Sequence, residues 1–244
     1  GATKVYDASN TIYPTAPASI IGVVTGDDVQ LGAGNVTGFV DKNVGVNKTV
    51  TYTGFSINGG SDAGNYVLSA NPASTANITA KPITASGITA LNKVYNASTN
   101  ASLNTANAAL SSGATTATDN KIYSADQVTI DASNAAGSFA NANVGTAKAV
   151  AITGLALSGA DAGNYAVTDA SGATANITPK SVTVNGLSVP ASRAYNGTTS
   201  ATVTGNPALL SAQAAGSGSA TDGTPYVGDV IGFLGTATAS YDSK

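Results

Sequence analysis

Four aspartates, Asp27 and Asp28 side by side, Asp62, and Asp161, come closest to a chemical site in this sequence. Their carboxylates are hard oxygen donors of the kind that hold calcium weakly in extracellular modules. Neither an EF-hand loop nor a calcium-binding nonapeptide surrounds them, and aspartate caps turns more often than it binds metal. Calcium is therefore a weak candidate, and the expectation is no cofactor. Other chemistry lacks its residues. Cys and His are absent, and all thirteen acidic residues are Asp. Triads built on His or Cys are excluded, no G-x-S-x-G elbow or S-x-x-K pair occurs, and zinc loses its favoured ligands. No particular pair of aspartates is placed for glycoside hydrolysis. The expectation is that the chain is not an enzyme. One covalent reaction fits the residues: a Lys–Asn amide cross-link between Lys4 and Asn77, or between Lys93 and Asn176. Arg193 stands at the third corresponding position and excludes it there.

These residues recur, and the recurrence shows what must position them. Lys4-Val5-Tyr6-Asp7 returns as Lys93-Val94-Tyr95-Asn96 and as Arg193-Ala194-Tyr195-Asn196. Asn43-Val44-Gly45 returns at Asn143, Asp62-Ala63-Gly64-Asn65-Tyr66 at Asp161, and Thr75-Ala76-Asn77-Ile78-Thr79 at Thr174. The offsets are 89 (93 minus 4), 100 (143 minus 43), 99 (161 minus 62) and 99 (174 minus 75). The change after the first block locates an insertion around Ser102 to Ser112. In the third repeat, Asn206 suits an N-cap, Pro207 the first helical position and Gly216 the end, so a short surface helix or turn is expected there and in the insertion. The expected modules are 1–80, lacking its first strand, 81–179, complete, and 180–244, cut at its C-terminal side, all from a longer array.

Composition favours strands. The chain has 28 Gly and no Glu or Met, so good helix formers are scarce. Runs such as Thr49-Val50-Thr51-Tyr52-Thr53 alternate with period two between Gly, Asn and Asp turns. About 100 residues of such strands per repeat point to an all-β fold of tandem immunoglobulin-like β-sandwich repeats, with a short helix allowed in the second and third. Asp62, Gly64 and Tyr66, with Asp161, Gly163 and Tyr165, resemble a tyrosine corner, in which a phenol hydroxyl reaches back to upstream backbone. Tyr6, Tyr95 and Tyr195 are expected to be half-buried strand residues. Pro82 and Pro179, next to Lys81 and Lys180, are expected to form short, stiff joints between modules.

The ordered set Lys-Val-Tyr-Asp, Gly26-Asp27-Asp28-Val29, Asp41-Lys42-Asn43-Val44-Gly45, Asp-Ala-Gly-Asn-Tyr and Ala-Asn-Ile-Thr-Pro-Lys resembles the YDG-type repeat. That repeat occurs in large secreted bacterial adhesins of the filamentous-haemagglutinin, two-partner-secretion kind. Asn96 and Asn196 depart from the Asp of the name motif, and Asn141-Ala142 from Asp41-Lys42. The resemblance implies an extracellular location on the bacterial cell surface and a non-catalytic stalk used in cell adhesion or a biofilm matrix. A lectin-like carbohydrate-binding module and a self-assembling filament subunit are the alternatives. Expected partners are neighbouring repeats of the same chain, host or matrix glycans, or other copies. Ten scattered cations make no basic stripe, so no nucleic acid is expected. The longest apolar run is too short to span a bilayer, so no membrane insertion is expected in this segment.

Overall fold

Period-two alternation governs the longest strands. In Gly45–Thr53 (β4), Val50 is buried between exposed Thr49 and Thr51, with Tyr52 half-buried. The computed structural model describes residues 3–13, 18–168 and 172–244. These are all-β: strands, turns and two one-turn 3-10 helices, Ala63–Asn65 and Ala162–Asn164, with no α-helix. Among the described residues no helix is long and apolar enough to cross a membrane.

The short helix expected in the second and third repeats is thus a correction. Asn206 and Pro207 lie in a strand, Thr204–Leu209 (β21), antiparallel to Val184–Ser188 (β19). The pairing shifts register between Asn185 and Leu187, opposite Pro207, where a bulge tolerates a residue without an N–H. The insertion holds three short strands, Asn100–Ala101 (β10), Leu103–Asn104 (β11) and Ala109–Leu110 (β12). The helix propensity of an Ala-rich tract is a weak preference, and sheet partners override it.

Two compact units form, and they partition the chain differently from the sequence repeats. Unit 1 takes Gly1–Ile88, Thr105–Ala135 and Ile152–Ser171; unit 2 takes Thr89–Asn104, Ala136–Ala151 and Gly172–Lys244. In unit 1 a four-stranded sheet has the order Thr3–Val5 (β1), Ala73–Thr79 (β6), β4, Asn35–Phe39 (β3), with β1 parallel to β6. The chain continues from β6 into Lys81–Ser86 (β7), which belongs to another sheet. There β7 lies between β12 and Tyr165–Thr168 (β17), parallel to β17, with Tyr165 opposite Lys81 and Thr168 opposite Thr84. Beside these, Thr129–Asp131 (β13) pairs with Ala156–Ser158 (β16), and Gln30–Leu31 (β2) pairs with Ile57–Gly59 (β5).

A single core joins the layers of unit 1. Tyr6, Phe39, Val50, Ala76 and Ile78 of the first repeat pack with Ile83, Ile122, Val128 and Tyr165 of the second. Each large apolar side chain buried there contributes about 1.5–3 kcal/mol. In unit 2 the equivalent sheet runs β10, Ala136–Phe139 (β14), Gly145–Thr153 (β15), Thr174–Thr178 (β18), Lys93–Val94 (β9), with β9 parallel to β18. Its core is Ala101, Phe139, Val150, Ala175 and Ile177. Unit 2 also holds β19 with β21, Thr89–Ala90 (β8) with β11, and Ser200–Ala201 (β20) with Ala239–Ser240 (β22). The second repeat is therefore divided: β7, β12, β13, β16 and β17 belong to unit 1, whereas β9, β10, β14 and β18 belong to unit 2. The chain passes between units five times, after residues 88, 104, 135, 151 and 171.

Candidate functional site: a buried tyrosine–aspartate junction

The Lys-Val-Tyr-Asp motif first makes its own turn. Lys4 Nζ donates to Asp7 Oδ1 at 2.7 Å and to the carbonyls of Ser9 and Thr11 at 2.7 and 2.9 Å, around Ala8 at φ 61°. Lys93 repeats this with Asn96 Oδ1 and the carbonyls of Ser98 and Asn100, around Ala97 at φ 57°. Asp and Asn offer the same acceptor oxygen, which is why Asn96 serves where Asp7 does. The cross-link expectation is not assembled. Asn77 Oδ1 accepts the Asn47 N–H at 2.8 Å across a bulge in β4, and Asn176 Oδ1 accepts the Ala147 N–H at 2.7 Å in β15. The lysines and asparagines thus serve separate turns.

With the turn fixed, Tyr6 points into unit 1 and is 0% exposed. Its hydroxyl donates to Asp126 Oδ2 at 2.7 Å, and Tyr165 donates to the same oxygen at 2.7 Å. Lys42 Nζ donates to Asp126 Oδ1 at 2.8 Å and lies 3.5 Å from Asp161. The Asp126 side chain is 0% exposed. Around it Tyr6 meets Tyr165 and Tyr123 edge to face, with ring centroids 5.4 and 6.0 Å apart. Nearby, buried Asn164 accepts the Val44 N–H at 2.9 Å and donates to Asn43 at 3.1 Å. Tyr6, Lys42, Asn43 and Val44 come from the first repeat, and Asp126, Asn164 and Tyr165 from the second. Unit 2 repeats the core of this arrangement: Tyr95 donates to Asp229 at 2.6 Å and packs edge to face on Tyr226. Ala142 stands where Lys42 would, so that second junction has no lysine at this position.

Burial, then the bond to Asp126, pushes Tyr6 up to about 12. Tyr95 is pushed up to about 12 by its bond to Asp229 and by burial. Tyr165 is raised by burial and by Asp126. Burial alone would raise the Asp126 carboxyl, but hydrogen bonds from Lys42, Tyr6 and Tyr165 outweigh it and hold it below its ordinary value. An unfolded tyrosine titrates near ~10 and an unfolded aspartate near ~3.9. The phenol contribution to stability is therefore full below about pH 10 and lost as pH rises through about 12. The Asp126 contribution is present above about pH 4 and lost as pH falls through its depressed value. Phenolate absorbance at 295 nm, followed with circular dichroism, should show a late-titrating tyrosine group that ionises together with unfolding. Tyrosines that all titrate near their free value in a folded chain would contradict the junction.

A second charged pair closes the opening strand of each later repeat. Lys81, beside the expected joint at Pro82, is 0% exposed, with Nζ 2.7 Å from Asp119, 2.6 Å from the Thr116 carbonyl and over the Tyr123 ring. Lys180 meets Asp222 at 2.7 Å and lies over the Tyr226 ring. The bond from Lys81 and backbone N–H donors hold Asp119 well below the usual carboxylate range.

The calcium candidates are engaged differently. Asp62 Oδ2 accepts the Asp28 N–H at 3.0 Å, Asp161 Oδ2 accepts the Gln127 N–H at 2.9 Å, and Asp28 accepts the Ser61 N–H at 3.3 Å. Asp27 accepts the Tyr66 hydroxyl at 2.6 Å. Asp62 and Asp161 brace a loop far upstream in the chain, and neither caps its own turn through its side chain. Among the described residues no cluster of three or more His, Cys, Asp or Glu could hold a metal. Tyr66 and Tyr165 hydroxyls do reach upstream backbone, accepting the Val24 and Tyr123 N–H groups, each at 3.0 Å. Gly64 and Gly163 sit mid-turn with open space where a Cβ would project. Of the three tyrosines expected to be half-buried, Tyr95 is; Tyr6 is instead fully buried and Tyr195 80% exposed. Among the described residues no aspartate accepts the Tyr195 hydroxyl as Asp126 accepts that of Tyr6.

Sequence reasoning missed Asp126, Lys42, Asn164 and the Lys81–Asp119 pair. One signal was available: Asp27, Asp126 and Asp229 occupy corresponding positions in all three repeats. The family description that matches is the YDG domain, over residues 1–75 and 79–174. No curated protein and no solved structure matches the chain.

Proposed function

The chain belongs to the YDG domain family, and from this membership and the buried junction we propose that it forms non-catalytic stalk repeats of a large extracellular bacterial surface protein. In this reading it works in cell adhesion or a biofilm matrix, on the cell surface, as in adhesins of the filamentous-haemagglutinin type. The observation that carries the reading is the Tyr6–Asp126–Lys42 cluster, which joins successive repeats through a carboxylate with no exposed surface. A carboxylate that no substrate reaches is suited to fastening, not to turnover. Lys4, Lys42, Lys48, Lys81, Lys93, Lys148, Lys180 and Arg193 all donate to acceptors within the chain, which supports a role without nucleic acid. Separate sheets over a shared core and corner-like tyrosines support an immunoglobulin-like sandwich whose layers successive repeats contribute jointly.

Single-molecule pulling on a chain anchored at both ends tests the stalk. The expected record shows discrete, cooperative ruptures whose released lengths follow the compact units and not the repeats. Smooth extension like that of an unstructured chain would remove the reading. A second, lectin-like reading draws on one feature: a groove of about 530 Å³ lined by Leu31, Val36, Tyr52, Phe55 and Pro72. Aromatic faces of this kind suit sugar rings. A glycan array decides it: signal abolished by Tyr52→Ala favours the lectin, and silence leaves the stalk.

A further inference from the structure

The first repeat carries its own copy of the Asp-bearing half of the junction. Asp27 matches Asp126, and both accept a tyrosine hydroxyl, from Tyr66 at 2.6 Å and Tyr165 at 2.7 Å. Val24 matches Tyr123, and both donate their N–H to that hydroxyl. The surroundings differ. Asn164 is buried against Asn43 and Val44, whereas its match Asn65 is exposed. Ile122 and Val128 lie in the core, whereas their matches Val23 and Val29 are only half-buried, and Val24 and Val67 beside them are 64% and 87% exposed. Residues 165–168 form a strand paired in parallel with β7, whereas the matching 66–69 form none.

We propose that the face formed by Val23, Asp27, Asn65 and Tyr66, with the edge 66–69, docks the tyrosine-bearing sheet and following strand of another repeat of this kind. This face continues an interface that the chain already builds. Tyr6 enters Asp126 and Tyr95 enters Asp229 from the adjacent repeat, and Asp27 offers the same carboxylate to a third such tyrosine. The incoming strand pairs with 66–69 in the register of Lys81–Thr84 on 165–168. It differs from β7 in one respect. Asp119 and Asp222, which hold Lys81 and Lys180, each lie four residues before the tyrosine under that lysine, and Ile20 lies four before Val24. A buried lysine there would lack its carboxylate, so the docking strand carries an apolar residue at that position.

The test lengthens the chain. Residues 3–92 are duplicated in front of Lys4, so that one repeat and its following strand run into Lys4-Val5-Tyr6 just as Asn92 runs into Lys93-Val94-Tyr95. In one version the duplicated segment carries Lys81→Leu, and in the other it keeps lysine. In the leucine version, Asp27→Asn should lower the melting temperature by about 5 °C or more. In the unlengthened chain the same substitution should shift it by about 1 °C or less. Hydrogen exchange should show new protection at Asn65 to Ser69 and throughout the added sheet, and the lysine version should melt lower than the leucine version. Equal, small effects of Asp27→Asn in both lengths would overturn the proposal. So would an added repeat that stays unprotected, because docking is what should order it. Neither outcome touches the adhesive reading, which pulling and glycan arrays address.

Discussion

Replacing Asp126 with alanine is expected to destabilise unit 1 by about 3–5 kcal/mol, the range for removing one partner of a buried charge cluster. Three donors converge on this carboxylate: the Tyr6 and Tyr165 hydroxyls and the Lys42 ammonium. Lys42 is partly exposed and has Asp161 at 3.5 Å, so it keeps a partner. The two hydroxyls lose the acceptor they donate to; Tyr6 is fully buried, and an unsatisfied buried donor costs about 1–3 kcal/mol. The cavity left among Tyr6, Tyr123 and Tyr165 adds to this. Urea unfolding followed by tyrosine fluorescence checks it, with Asp131→Ala as control. Asp131 accepts from Ser133 in an exposed turn, and its loss should stay within about 0.5 kcal/mol. If Asp126→Ala is as mild as the control, Tyr6 and Asp126 do not join the layers.

The second large effect concerns how the chain is cut. Residues 81–179, the sequence-defined middle repeat, are expected not to fold alone. Excision removes Tyr6, Phe39, Val50, Ala76 and Ile78 from above Ile83, Ile122, Val128 and Tyr165. It also removes Tyr226 and Asp229 from Tyr95. Both halves of the repeat are left with an apolar face in water, and a marginal domain does not survive the loss of so much burial. Residues 1–179 contain every segment of unit 1 and should retain a cooperative melt. Circular dichroism and proton NMR of the two fragments distinguish the cases. A dispersed, cooperatively melting 81–179 would show that its halves close on each other and that joining across repeats is optional.

Strand content was legible because alternation in segments such as Thr49 to Thr53 is a local property, and Val50 indeed faces the core. The repeat period was legible for the same reason. The helix at Asn206 was misread because N-cap, proline and alanine signals are equally local, while the pairing of Ala208 with Asn185 is not. The junction was half legible. Tyr6 and Tyr165 stood out by recurrence, but their shared partner, Asp126, is 120 residues from Tyr6 in sequence, and nothing local marks that distance. Lys81 was hidden by a sound rule: lysine is seldom fully buried, and only the Asp119 and Thr116 acceptors make it so.

The two kinds of bond have different bookkeeping in heredity. Lys81 and Asp119, like Lys180 and Asp222, sit inside one repeat, so a copying event that gains or loses a whole period carries both partners together. Such a pair is at liberty to change, and Ile20 stands in the first repeat where Asp119 and Asp222 stand in the later ones. Tyr6 and Asp126 sit in successive repeats, so any period may come to face any other. A tyrosine and an aspartate that must meet strangers have to stay the same in every copy, and Tyr6, Tyr95 and Tyr195 with Asp27, Asp126 and Asp229 do. Because the spatial unit is out of step with the sequence period, loss or gain of one period anywhere in the interior leaves each carboxylate opposite a phenol. Length can then vary by whole periods with a tyrosine still meeting an aspartate at each seam.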